Sequence, residues 1–363
     1  MAGPLAIGGA PVVTLQASSL PSTGPAFVSA EVLPGRGMML LQARLRLPSG
    51  EVVDGLAAPT AAEAARQLAG GPEDFAGNKS FSFGGALLAP YANRITGRPL
   101  PGSREIETRV DGHPVRLPRN WGGKQPGARQ YAMHGLILAT RTPYAQPAAD
   151  RVTGRLQASD FGGRWPGAAE IEVAWRLEGG ALNLDVVVRN TAAVSLPLGL
   201  GWHPYFALPS GDRRQARLFL PADLRTEVNN YDEVLPTGRL LAVAGGPYDF
   251  SSPDGRALRE LYLDDCFTSL VRLRGMASLE ICDPAAGLGL RVTSPTPQVR
   301  AVQVYAPPDQ AFVVVEPQFN LADPYSDVWP SGVDTGMARL SPGESLSYRV
   351  RAEPFACGNR PPT

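Results

Sequence analysis

Between residues 170 and 189, apolar and polar side chains trade places at nearly every step. Ile171, Val173, Trp175 and Leu177 alternate with Glu170, Glu172, Ala174 and Arg176; Leu182, Leu184, Val186 and Val188 alternate with Asn183, Asp185 and Arg189. A period of two turns one face of an extended strand to a core and the other to water. The same rhythm returns in Leu41, Ala43, Leu45 and Leu47 against Gln42, Arg44 and Arg46. One-sided strands of this kind suit antiparallel sheets, because parallel strands are buried on both faces. Clusters such as Glu178-Gly179-Gly180 and Pro253-Asp254-Gly255 punctuate them, and 40 glycines and 36 prolines allow many more turns. Many turns between many short strands imply an all-β fold.

Few short helices are expected. One candidate stands out: Thr60-Ala61-Ala62-Glu63 has the spacing of a capping box and leads into an Ala-rich run that Gly70 stops. The 363 residues show no long linker, charge block or fixed-period repeat. The first 25, rich in Gly, Pro and Ser, read as a loose segment, and 26–363 as one large β domain.

Thirty-four basic and 34 acidic residues balance to zero net charge, which gives no footprint for nucleic acid or an anionic membrane. Cys266, Cys282 and Cys357 are widely spaced and match no zinc pattern. The expectation is reduced thiols in a cytoplasmic protein. Met1–Leu5 has no basic stretch before an apolar one, and no apolar run approaches membrane-spanning length.

Chemistry-bearing residues are sparse, which makes them informative. Only three histidines are present, and one lies in Gly199-Leu200-Gly201-Trp202-His203-Pro204-Tyr205. As a strand, this run puts Leu198, Leu200 and Trp202 on one face and Gly199, Gly201, His203 and Tyr205 on the other. The second face reads as a shallow platform, its glycines allowing close approach, with an acid–base group at the edge. Glu316 follows the apolar Phe312-Val313-Val314-Val315, and a carboxylate in an apolar setting has a raised pKa that suits a general base. His134 precedes Gly135, which allows either a ligand near the ring or a simple turn. Asn93-Arg94 offers an amide and a five-donor fork, chemistry that suits sugar oxygens. Asp264 and Asp265 are adjacent, so on a strand only one can face a given pocket. Gln303 interrupts an apolar strand.

Taken together and in order, these residues resemble the aldose 1-epimerase (galactose mutarotase) family. The resemblance runs through Asn93-Arg94-Ile95, His134-Gly135, His203-Pro204-Tyr205-Phe206, Pro236-Thr237-Gly238 and Pro247-Tyr248-Asp249-Phe250. It continues through Asp264-Asp265-Cys266-Phe267, Gln303-Val304-Tyr305, Glu316-Pro317-Gln318 and Leu340-Ser341-Pro342-Gly343-Glu344. It spans roughly residues 35 to 350. Leu136, Asp265 and Pro317 depart from the family's common residues, and these departures bear on substrate identity.

The resemblance implies a large antiparallel β-supersandwich of the galactose mutarotase type. It implies an isomerase that interconverts the α and β anomers of a free aldose such as galactose or glucose, without metal or organic cofactor. Glu316 would be the base, His203 the acid and His134 a second active-site histidine; Asn93, Arg94, Asp264 and Gln303 would bind the sugar. Asp264 is preferred over Asp265 because it alone fits the family's spacing to Phe267. The expected partner is a monosaccharide, and the expected assembly a monomer or homodimer. Three alternatives stay open: a non-catalytic sugar-binding or sensing protein, a sugar-phosphate mutarotase, and a metal hydrolase built on His134, His203 and Glu316.

Overall fold

The structure, a computed structural model, describes residues 5–358. Two large antiparallel sheets dominate it, one of eleven strands and one of nine. The alternating segments sit in the nine-stranded sheet as the strands Ala169–Glu178 and Ala181–Asn190, in register from Ala169 opposite Asn190 to Glu178 opposite Ala181. The turn between them needs positive φ at both central residues, and Gly179 and Gly180 adopt 60° and 78°. The sheets meet across an apolar core. Trp175 of the nine-stranded sheet donates its indole N–H to the Met38 carbonyl at 2.8 Å, and its ring meets Trp202 of the other sheet at 5.5 Å. The Leu198, Leu200 and Trp202 face is core, as the alternation predicts, with all three buried.

The helix forms where its cap predicts, over Ala61–Gln67. Thr60 accepts from the Glu63 N–H, and the Glu63 carboxylate accepts from the Thr60 N–H. No helix among the described residues is long and apolar enough to cross a membrane.

Three expectations change. Part of the N-terminal segment pairs into strands: Ala6–Ile7, Ala10–Pro11 and Val13–Gln16 are strands with Ile7, Val13 and Leu15 buried, whereas residues 17–25 form no regular element. A composition rich in Gly and Pro hid three apolar anchors. The run from Leu196 to Ala207 is two strands, Leu196–Leu198 and Gly201–Ala207, rather than one. Its glycines make room for the protein itself: a Cβ on Gly199 would lie 2.1 Å from Asn320 Oδ1, and one on Gly201 3.1 Å from Gln318 Cβ.

The third change concerns the thiols. Cys282 and Cys357 form a disulfide, and Cys266 is free and buried. The partners lie 75 residues apart in sequence, and sheet pairing brings them together. Cys282 is opposite Gly289, and Leu288 is opposite Ala356, so one strand separates the two cysteines. The pairing removes the argument from reduced thiols to a cytoplasmic location. A cross-link closing so long a loop typically contributes about 2–4 kcal/mol. Thermal unfolding should therefore shift to lower temperature in dithiothreitol and in Cys282→Ala. Identical midpoints with and without reductant would show that the bond contributes nothing.

Candidate active site

The site is built by register in the eleven-stranded sheet. Gln303 pairs directly with Glu316, and Cys266 with Gln303. Gly201 opposite Gln318 and Tyr205 opposite Val314 set His203 opposite Glu316. His203, Glu316, Gln303 and Cys266 thus form one row across four strands, with side chains on one face. Asp264 stands one step along, opposite Tyr305.

Glu316 and His203 are in direct contact: His203 Nε2 lies 3.3 Å from Glu316 Oε1. Both are buried, at 1% and 5% exposure, and Glu316 Oε2 has no partner. Glu316 is therefore no solvated charge at a strand end; it lies inside the strand Phe312–Gln318. Burial raises its pKa well above the ordinary carboxylate range, the negative charge of Asp264 raises it further, and Arg94 acts against both. Burial pushes His203 down to about 3, with the Arg94 charge acting the same way. Burial therefore disfavours both charged forms.

His134 reaches the row from a loop. The short pairing of Met133 with Arg94 and Ala132 with Ile95 holds the two segments together. His134 then turns with φ of 61°. Its N–H donates to the Asn93 carbonyl at 2.9 Å, and its Nδ1 accepts from the Asn93 N–H at 3.2 Å. An accepting Nδ1 puts the proton of neutral His134 on Nε2. Burial lowers this pKa too, so the ring stays neutral. Gly135 is a packing glycine rather than an opening for a ligand, since a Cβ there would lie 2.2 Å from the Ala89 carbonyl oxygen.

Arg94, His134, His203, Asp264, Gln303 and Glu316 all line one cavity of about 490 Å³. Arg94 Nη2 lies 3.4 Å from Asp264 Oδ2, and Gln303 donates to Asp264 Oδ1 at 2.6 Å. Asn93 is the exception. It is fully buried, donates to Gln303 at 2.9 Å and accepts from Arg94 at 2.8 Å, so it braces those two residues instead of facing the cavity. Asp265 turns to the other side of its strand, where it accepts from Arg225 at 2.9 Å and Tyr231 at 3.0 Å.

The cavity also has walls that the sequence reading did not single out. Tyr262, Tyr305 and Phe312 line it, as do Phe81 and Trp121. The first three carried a legible signal, being two or four residues from Asp264, Gln303 and Glu316 on the same face. Phe81 and Trp121 come from separate segments with no such spacing.

His134, His203 and Glu316 each offer a ligand atom within 4.8 Å of the others, a spacing that could hold a metal ion. The surroundings argue against it. A histidine ligand to a metal almost always donates its other ring N–H to an acceptor. His134 does the reverse: its Nδ1 accepts, and its Nε2 carries a proton into the cavity.

A family model described as aldose 1-epimerase matches residues 53–353. Among solved structures, an aldose epimerase homologue from C. elegans superposes with a TM-score of 0.71 at 20% identity, over 96% of this chain and 99% of that one. A galactose mutarotase-like protein from Clostridium acetobutylicum gives 0.69 at 17% identity, over 90% and 92%. Galactose 1-epimerase from Lactobacillus acidophilus gives 0.62 at 19% identity, over 93% of each chain. At these identities the likeness establishes the fold. No curated protein matches significantly.

Proposed function

The chain belongs to the aldose 1-epimerase family, and from that premise we propose that it interconverts the α and β anomers of a free aldose by acid–base opening and closing of the ring. The observation that carries this reading is the contact between Glu316 and His203, 3.3 Å apart at the base of a cavity edged by Arg94, Asp264 and Gln303. Ring opening needs one proton taken from the O1 hydroxyl and one given to the ring oxygen O5. Glu316 takes the first and His203 gives the second. Rotation about C1–C2 then presents the other carbonyl face, and the roles reverse on closure. The His134 Nε2–H, neutral and fixed in direction, is suited to hold O5 rather than to protonate it. Both steps are proton transfers, so the scheme needs no metal or organic cofactor.

The Glu316–His203 pair works with one proton between its two members. A base and an acid at work would suit a charged pair, with Glu316 ionised and His203 protonated. Burial instead favours the neutral form of each, with the proton resting on Glu316. Catalysis then begins by shifting that proton across the short contact to His203. The pH dependence follows from this count. The two-proton form loses its imidazolium proton already near pH 3, because burial pushes His203 down to about 3. The one-proton form persists until pH rises through the elevated carboxyl pKa of Glu316. Hence kcat/KM should fall only on the alkaline side, as pH rises through the carboxyl pKa, with no loss as pH falls through the ordinary imidazole range. A loss of activity as pH falls through the ordinary imidazole value of about 6.5 would contradict this.

Arg94, Asp264 and Gln303 bind and orient the sugar in this reading. Losing a buried polar partner typically costs about 1–3 kcal/mol, or roughly ten- to a hundred-fold in affinity. Arg94→Ala and Asp264→Ala should weaken aldose binding by that factor in calorimetry. Turnover should drop as well, since a tilted ring misplaces O5. Undiminished affinity in both variants would remove them from recognition.

The charge of the cavity favours an uncharged sugar over a sugar phosphate. Its lining cations are Arg94 and Lys124; Arg94 faces Asp264, and Asp232 and Asp309 share the lining with Lys124. Retention of all three acid–base groups favours an enzyme over a sugar sensor. Polarimetry of freshly dissolved aldoses tests the reading: the protein should speed the approach to the equilibrium rotation for at least one sugar. No acceleration across a panel of hexoses and pentoses would leave a binding protein as the better reading.

A further inference from the structure

Arg94 meets the cavity with a guanidinium already held on three edges. Its Nε donates to the Tyr131 hydroxyl at 3.3 Å, its Nη1 donates to the Asn93 side-chain oxygen at 2.8 Å, and its Nη2 faces Asp264 at 3.4 Å. A guanidinium has five N–H donors in a rigid plane, so two of them stay available to a ligand. Contacts on two different nitrogens fix that plane, and with it the direction of the spare donors. Asn93 is the neighbour of Arg94 in the chain, and the Asp264 contact is long. Tyr131 is the anchor that the tertiary fold brings from elsewhere.

Tyr131 is itself aimed. It lies buried in the strand Gln130–Met133, opposite Trp121, and its hydroxyl donates to the Glu233 carbonyl at 2.8 Å. With its one proton spent there, the hydroxyl oxygen is left to accept from Arg94. The Glu233 carbonyl belongs to a turn over residues 229–235 that closes on itself. The Asn229 N–H donates to the Leu235 carbonyl at 2.8 Å, and the Asn230 side-chain oxygen accepts from the Asp232 and Glu233 N–H groups, each at 2.8 Å. Two carboxylates then tie the turn to residues 122–130. Asp232 accepts from the Lys124 and Gln125 N–H groups at 2.8 and 3.2 Å, and Glu233 accepts from the Arg129 N–H at 2.6 Å. The two segments press together so closely that a Cβ on Gly123 would lie 2.4 Å from an Asp232 carboxylate oxygen. Both segments line the cavity, so the acceptor that fixes Tyr131 is part of its wall.

Proton transfer uses none of these bonds. Resting on the reading of Arg94 as a sugar ligand, we propose that Tyr131 is a positioning residue: its hydroxyl links the rigid turn at 229–235 to the Arg94 guanidinium and aims the two spare donors at the sugar. A long side chain that is held before the ligand arrives loses little freedom on binding, and preorganised sites gain affinity in this way. Phenylalanine at position 131 would keep the ring opposite Trp121 and remove the acceptor alone.

The Arg94 Nε–H reports on this contact without any sugar. In heteronuclear NMR of the whole protein, with the signal assigned by its loss in Arg94→Ala, this proton should exchange slowly with water in the parent. In Tyr131→Phe it should exchange about ten-fold faster. With the panel of hexoses and pentoses as probes, Tyr131→Phe should raise KM about three- to ten-fold and leave kcat within about two-fold, because Tyr131 touches no reacting atom. In an Arg94→Ala background, Tyr131→Phe should lower calorimetric affinity no further, as expected of two residues acting through one contact. Fast exchange in the parent, equal exchange in the two proteins, an unchanged KM, or the same loss repeated in the Arg94→Ala background overturns the proposal. If the parent neither binds nor turns over any sugar of the panel, while Tyr131→Phe still frees the Arg94 proton, the hold on Arg94 stands and the anomer-exchange reading fails.

Discussion

Glu316→Gln is expected to lower the rate of anomer exchange by at least about 10²-fold, and by up to about 10⁴-fold, while the protein stays folded and still binds sugar. The amide has the shape of the carboxyl group it replaces, and it cannot take up or release a proton at neutral pH. The expected loss is large because in the proposed mechanism one group serves both directions: it takes the O1 proton on opening and returns it on closure. Stability should not suffer. The carboxyl is buried, its pKa is driven up by desolvation, and one of its oxygens has no partner, so the native state gains little from it. The checks are a rate measurement by polarimetry and a thermal melt on the same sample. Activity within a few-fold of the parent would remove Glu316 from the mechanism.

His203→Asn should cost at least about 10²-fold in turnover, because asparagine can hydrogen-bond O5 but cannot protonate it. In the proposed mechanism the pair, 3.3 Å apart, works with a single shared proton, so the two substitutions should not add. Combined with Glu316→Gln, His203→Asn should cost little more than either alone. His134→Asn should do less damage, since its Nε2–H is a fixed donor held through Nδ1 by the Asn93 N–H. A severe loss in His134→Asn with a mild one in His203→Asn would exchange the two assignments.

Much of this architecture is legible in the chain, for a physical reason. Side chains on a strand alternate strictly, so a polar residue among apolar ones declares its face. This is how Glu316 and Gln303 stand out, and why Asp264 and Asp265 are read as facing opposite ways, as they do: Asp264 toward Arg94 and Gln303, Asp265 toward Arg225 and Tyr231. Period two says nothing about which strands become neighbours. The row of His203, Glu316, Gln303 and Cys266 and the Cys282–Cys357 bond both depend on that pairing. Loop residues are less legible still. Asn93 looks like a ligand group beside Arg94, and only the fold reveals that its amide is spent on bracing Arg94 and Gln303. The glycines at 199 and 201 look like room for a ligand, and they are room for Asn320 and Gln318.

In this mechanism a buried carboxyl and imidazole open and close a free sugar ring. Two-dimensional NMR exchange spectroscopy at anomeric equilibrium tests it most directly, because it reads the α–β exchange itself and needs no net reaction. For at least one of glucose, galactose and their disaccharides, exchange peaks between the anomeric protons should grow in proportion to protein concentration. They should vanish in Glu316→Gln and be absent for a methyl glycoside, whose ring cannot open. Exchange rates that remain at the uncatalysed level for every free sugar would contradict the account.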